Sequence, residues 1–305
     1  MVDADHTANE GSAEDTPARP VSQVVDQSLD VGVPLARPVG SVAPGAAPIP
    51  HDEMRLPSLR PRSAWFDIGC VIFLLIGYEF VTANALGLLV ARIAGGTWFV
   101  EESIEPQWQK LMLAPMLAIR AFGTFVIIIL VLRYRGQSFR SVGVTARRWL
   151  SSIPLGIAAS AAAGGLIMLT MLSLFYLWPD LAKNMNDNKE LIMSAVPHLT
   201  LAQFALLTIV IGVYEEFLFR GFLMTRLRRA TGSWTLAVVL STIVFTALHA
   251  FGQTTVALVP VTILSLVLSF LTIWRRSILP AIVAHATYDA SVFSYLSVVA
   301  GDTWH

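Results

Sequence analysis

Three late apolar stretches of the chain carry ionisable residues at helical spacing. Tyr214-Glu215-Glu216-Phe217-Leu218-Phe219-Arg220 sets two carboxylates side by side with an arginine four residues after the second. Phe245 and His249 are separated by four positions, and so are His285 and Asp289. On a helix, residues four apart share a face, whereas neighbours point about 100° apart. Glu216 and Arg220, with the acid N-terminal, are therefore read as an ion pair. Glu215 is left to face something else. A carboxylate in a helix interior beside histidines is suited to take a proton from water. Asp289 is placed to orient or charge-couple the His285 imidazole. A single such histidine is more often a satisfied interhelical hydrogen bond. Two histidines and two further carboxylates from three helices point instead to a shared site, since charges at membrane depth are expensive and mark function by default.

Those helices belong to a membrane protein. Of the 305 residues, 55% are hydrophobic and 14% charged, and the mean hydropathy is +0.64. Soluble domains carry about 25% charged residues. Residues 1–62 are rich in Ala, Pro, Asp and Ser and contain no aromatic residue. Such a segment cannot bury enough surface to offset its ordering entropy, and is expected to be a disordered cytoplasmic tail. It lacks the apolar stretch of a signal peptide. Residues 63–305 are expected to form an all-α polytopic bundle of about seven spanning helices. The spans fall near 65–93, 111–132, 150–177, 199–223, 234–252, 254–273 and 278–299, each close to the roughly 20 residues a bilayer requires. Residues 95–110 suit an interfacial helix with Trp98 and Trp108 at headgroup level.

Arginines gather on alternate loops: Arg133, Arg135, Arg140, Arg147 and Arg148; then Arg226, Arg228 and Arg229; then Arg275 and Arg276. The opposite loops hold Glu101, Glu102, Asp180, Asp187 and Glu190 with few bases. That alternation puts the amino terminus in the cytoplasm and the carboxyl terminus outside. Zero net charge without a basic patch excludes a nucleic-acid partner, and the lone Cys70 excludes a disulfide framework or a cysteine zinc cage. Glu79 and Arg120, of opposite sign at similar depth in the first two spans, are read as an ion pair joining them. One feature of the late helices fits less simply. Counted from the basic ends, Glu215 and His285 lie about 14 Å deep, while His249, counted from Ser233, lies about 24 Å deep.

Glu-Glu-x-x-x-Arg, Phe-x-x-x-His and His-x-x-x-Asp in that order resemble the CPBP family of intramembrane proteases, which joins CAAX prenyl endopeptidases to bacteriocin-processing and immunity (Abi) proteins. The resemblance covers roughly residues 150–299. It implies that Glu215 activates the attacking water with His249 assisting, and that Glu216 and Arg220 shape the site. It implies too that His285 and residue 289 position water or stabilise the oxyanion. Many members have Asn where this chain has Asp289, and an ionised Asp cannot donate to an oxyanion. The same Glu215, His249 and His285 could hold zinc with an open position for water, so zinc stays an option. No His-Glu-x-x-His or Gly-x-Ser-x-Gly occurs. Residues 278–299 contain no lysine for a retinal Schiff base. The expected partners are the lipid bilayer and a peptide or membrane-anchored protein substrate. The competing class is a non-enzymatic immunity or scaffold protein, or a proton-coupled carrier, in which the same polar residues serve partner binding or proton relay.

Overall fold

The computed structural model describes residues 61–93, 106–145, 149–195 and 201–300. The chain divides into Met1–Pro50 and His51–His305, and every described residue lies in the second unit. The expected tail, up to residue 60, and residues 95–105 of the expected interfacial segment lie outside the described residues.

Nine α-helices run through the described residues: α1 Pro61–Ile93, α2 Pro106–Tyr134, α3 Trp149–Leu177, α4 Asp180–Ala195, α5 Leu201–Glu216, α6 Met224–Thr231, α7 Trp234–His249, α8 Leu258–Arg275 and α9 Leu279–Ala300. No strand occurs among them, and the all-α expectation holds. Each of the seven expected spans has a helix as its main part among the described residues. Five stretches are long and apolar enough to cross a bilayer: Ser63–Leu89, Pro115–Tyr134, Trp149–Leu177, Ala202–Thr231 and Thr255–Arg275. The expected count of seven full spans is therefore not reached on length and composition. At 16 residues α7 reaches only about 24 Å against roughly 30 Å of hydrocarbon. In α9 the apolar run is diluted by His285, Tyr288 and Asp289.

The outside of the bundle is what a bilayer solvates. Phe73, Phe80, Leu130, Leu169 and Phe270 face outward, a surface that water would not tolerate on a monomer. Exposed Tyr134, Trp149, Tyr176, Trp178 and Trp274 sit at helix ends, where aromatic rings meet the headgroups. The chain is a multi-pass integral membrane protein.

Two local features shape the site. Residues Phe217–Leu223 form a π-helical stretch that joins α5 to α6 as one continuous rod. Such stretches often occur at functional sites, because the wider turn re-aims the side chains around it. The rod ends at Gly232, left-handed at φ 72°. Ser233 then caps α7 by accepting from the Leu236 N–H (3.4 Å).

The helix carrying His285 and Asp289 is held on several sides, with α9 packing on α3, α5 and α8. Small residues permit that approach. A Cβ on Gly156 of α3 would lie 2.5 Å from Val283 Cβ and 2.8 Å from the Pro280 carbonyl of α9, and one on Gly212 of α5 would lie 3.2 Å from the Ala286 amide. Replacing Gly156 by Val forces α3 and α9 apart, and the expected cost is about 1–3 kcal/mol, read as a lowered Tm in detergent. An unchanged Tm would mean the crossing is looser than the distances state.

The charged segment after α3 forms helix α4 rather than the expected loop. Its asparagines hold the turn between α7 and α8: Asn188 Oδ1 accepts from the Thr254 N–H (2.8 Å) and Asn184 Oδ1 from the Val256 N–H (3.3 Å).

Candidate active site

Glu216, at the last turn of α5, is fully buried together with Arg220. Arg220 Nη1 donates to Glu216 Oε1 at 2.8 Å, and Nη2 donates to the Ser265 carbonyl of α8 at 3.2 Å. The guanidinium also stacks over the Phe245 ring, with 4.5 Å from Cζ to the ring centroid. A buried charge is tolerable only when paired and hydrogen-bonded. Arg220 is paired and bonded through both Nη atoms to groups that, with the Phe245 ring, come from three helices, so the expected pair is also a fastener of α5, α7 and α8. Its Nε and Glu216 Oε2 make no hydrogen bond among the described residues.

His285 reaches the same carboxylate. Its Nδ1–H donates to Glu216 Oε1 at 2.9 Å. Its Nε2 faces Glu215 Oε2 at 3.8 Å and Asp289 Oδ2 at 3.6 Å. Asp289 does share the His285 face as the spacing requires, but the group that fixes the imidazole by hydrogen bond is Glu216. Of the two roles expected for Asp289, its carboxylate stands at charge-coupling distance from the ring, while the hydrogen bond that orients the ring comes from Glu216. Nε2 thus lies between two carboxylate oxygens at distances too long for a direct hydrogen bond and short enough for charge coupling.

Glu215 is anchored on one oxygen only. The Tyr214 hydroxyl donates to its Oε1 at 2.9 Å. Its Oε2 is buried and makes no hydrogen bond among the described residues. Tyr214 was not singled out by sequence reasoning, because helical neighbours diverge by about 100° and no periodicity marks a bond between them. Tyr214 is itself buried, within hydrogen-bonding and electrostatic reach of Arg120. Arg120 holds Glu79 bidentately, Nε to Oε1 at 2.8 Å and Nη2 to Oε2 at 3.0 Å, so the expected α1–α2 ion pair is formed. Removing the phenol oxygen with Tyr214→Phe frees Oε1 to rotate away from its aim. Peptide turnover is expected to fall about tenfold with Tm unchanged, which a paired activity and melting measurement reads.

Phe245 and His249 meet the cluster by stacking. The Phe245 ring lies 6.2 Å from the His285 ring, edge-on, 4.9 Å from Phe219 and 4.5 Å from the His249 ring. His249 Nδ1 lies 2.9 Å from the Phe245 carbonyl, and a carbonyl only accepts. The proton is therefore on Nδ1 and Nε2 is free for the site. His249 is an electrostatic neighbour of Asp289, as are Glu215 and Glu216. Phe245 is the ring of α7 that touches the His285 ring, and His249 follows one turn later along α7.

No group of three or more His, Cys, Asp or Glu among the described residues is arranged to hold a metal ion. Glu215, His249 and His285 do not form a ready-made zinc set.

Residues 197–291 match the family model of the Type II CAAX prenyl endopeptidase Rce1-like proteins. The match contains Glu215, Glu216, Arg220, Phe245, His249, His285 and Asp289, and bears out the family resemblance read from their spacing. It is narrower than the 150–299 expected, leaving α3 and α4 outside. A search of curated proteins and a search of solved structures each find no match. The family is one of proteases, and the match supports a peptidase role for this membrane protein.

Proposed function

We propose that the protein is an intramembrane endopeptidase in which Glu215 activates water for direct attack on a peptide carbonyl. The observation that carries this reading is the buried Glu215 Oε2, which makes no hydrogen bond among the described residues and lies 3.8 Å from His285 Nε2, the same nitrogen that Asp289 Oδ2 approaches to 3.6 Å. Atoms at that spacing are not bonded to one another, yet can share a single water. Glu215 takes a proton from that water as its oxygen bonds to the carbonyl carbon. Charge develops on the carbonyl oxygen, where His285 Nε2–H or a protonated Asp289 can donate. The C–N bond then breaks and the proton held by Glu215 passes to the leaving amine. His249, with Nε2 free, assists proton movement on the α7 side. Glu216 and Arg220 hold His285 in place, and no covalent intermediate forms. All of these steps run through side chains of this chain.

The substrate in this reading is a peptide or membrane-anchored protein segment presented from the bilayer, with the amino terminus of the enzyme in the cytoplasm and its carboxyl terminus outside. The arginine-rich alternate loops support that orientation. The test uses purified protein in liposomes with two internally quenched peptides, identical except that one carries a prenylated C-terminal box. Mass spectrometry reads new termini, and hydroxylamine is present to trap any acyl-enzyme. Cleavage without a hydroxamate product is expected. Excess EDTA is expected to leave the rate unchanged. A rate abolished by EDTA and restored by zinc would transfer water activation from Glu215 to a metal. Proton or solute flux with neither peptide cut would replace the protease reading with the carrier.

A further inference from the structure

A second polar cluster lies away from the catalytic groups, where the ends of α1, α2 and α6 converge. Asp67 and Arg226 are sealed from solvent, 1% and 0% exposed. Arg135 donates from Nε to Asp67 Oδ1 at 2.7 Å. Arg226 Nε lies 3.4 Å from Asp67 Oδ2, and its Nη2 donates to Gln137 Oε1. Arg229 stands within electrostatic reach of both Arg226 and Asp67. Two guanidinium groups thus contact one carboxylate, and a third stands within its electrostatic reach.

The hydrogen-bond accounting is one-sided. Arg229 Nε, Nη1 and Nη2 and the Gln137 amide nitrogen are all shielded from water with no hydrogen-bond partner among the described residues, and Arg226 Nε has only the long approach to Asp67 Oδ2. Each of these is a donor. The one unmet acceptor, Asp67 Oδ2, already faces Arg226 and cannot also serve Arg229. Sequestered donors without acceptors are costly, and native interiors seldom leave them so. What completes the cluster is an anion offering several oxygens. Guanidinium forks match the oxygens of a phosphate in just this way. The cluster also sits where such a group is found. Arg135 packs over the rings of Phe66 and Tyr134, both exposed aromatics near ends of apolar helices, which is headgroup level.

We infer that Arg226 and Arg229, with Gln137 beside them, form a phosphate-binding site at the membrane interface, taking the headgroup of an anionic phospholipid or free phosphate. The site is separate from the catalytic cluster and does not depend on the protease reading. Native mass spectrometry of the full-length protein in detergent, titrated with phosphatidylglycerol and with phosphate-free diacylglycerol, tests it. One phosphatidylglycerol per protein is expected, with diacylglycerol not retained. Arg229→Gln, a residue with no internal partner to lose, is expected to weaken retention about tenfold at unchanged Tm, and Arg229→Lys to fall between. Retention that persists in 100-fold excess inorganic phosphate assigns the site to lipid. Displacement by inorganic phosphate assigns it to the free anion. Equal retention by wild type and Arg229→Gln, equal retention of diacylglycerol, or no binding of either phosphate source would overturn the inference.

Discussion

Glu215→Gln is expected to lower peptide cleavage by about 100- to 10,000-fold, the range a positioned general base contributes, while leaving the protein folded. Both halves follow from the two oxygens of Glu215. Oε1 accepts from Tyr214, and an amide oxygen there can still accept. Oε2 makes no bond that the fold needs, so its replacement by an NH2 group removes only the capacity to take a proton from water. Tm in detergent is expected to stay within a degree or two of wild type. The liposome assay with both peptides, run beside a melting curve, reads the two quantities together. Cleavage at the wild-type rate by the folded variant would end the proposed mechanism.

Arg220→Ala is expected to act in the opposite manner, through stability. It strips the cation from Glu216, which is fully buried, and takes with it the bond to the Ser265 carbonyl and the stacking on Phe245. Breaking a buried pair from one side costs about 3–5 kcal/mol, since the partner charge stays behind. Glu216 would be left with His285 as its sole positive neighbour. The measurements are Tm in detergent and the yield of monodisperse protein. Removing both charges, as Glu216→Gln with Arg220→Met, is expected to recover much of the loss, because neither an unpaired acid nor an unpaired base then remains. The double variant would still lack the Nδ1 acceptor that aims His285, and is expected to cleave poorly even when stable. A single Arg220→Ala variant as stable as wild type would show that Glu216 is charged in name only, its proton shared with His285.

The residues of the site are legible in the sequence, because helical periodicity is a local rule. Glu216 with Arg220 and His285 with Asp289 had to share faces, and they do. Glu79 with Arg120 paired for a different local reason, opposite charge at similar depth in hydrocarbon. Other features left no such trace. Phe217–Leu223 reads as ordinary apolar helix, since a π-helical turn depends on what packs around it. The polar composition of Asp180–Ala195 suggested a loop. Its helix is held by packing and by Asn184 and Asn188, whose partners lie some seventy residues away in sequence. Length and composition mark two of the seven expected spans less plainly: α7 is short, and the apolar run of α9 is interrupted by the site itself.

The sequence alone settled which side chains are available at membrane depth and which pairs within one helix must meet, because rise and rotation per residue are fixed by the backbone. Only the tertiary structure decided the partnerships between helices. Glu216, not Asp289, takes the Nδ1 proton of His285. Tyr214 pins one oxygen of Glu215. Phe245 of α7 is the ring that meets the His285 ring edge-on. These depend on how far each helix is turned about its own axis when it packs, and that rotation is set by close contacts such as Gly156 against Val283 and Gly212 against Ala286, which no spacing within a single helix encodes.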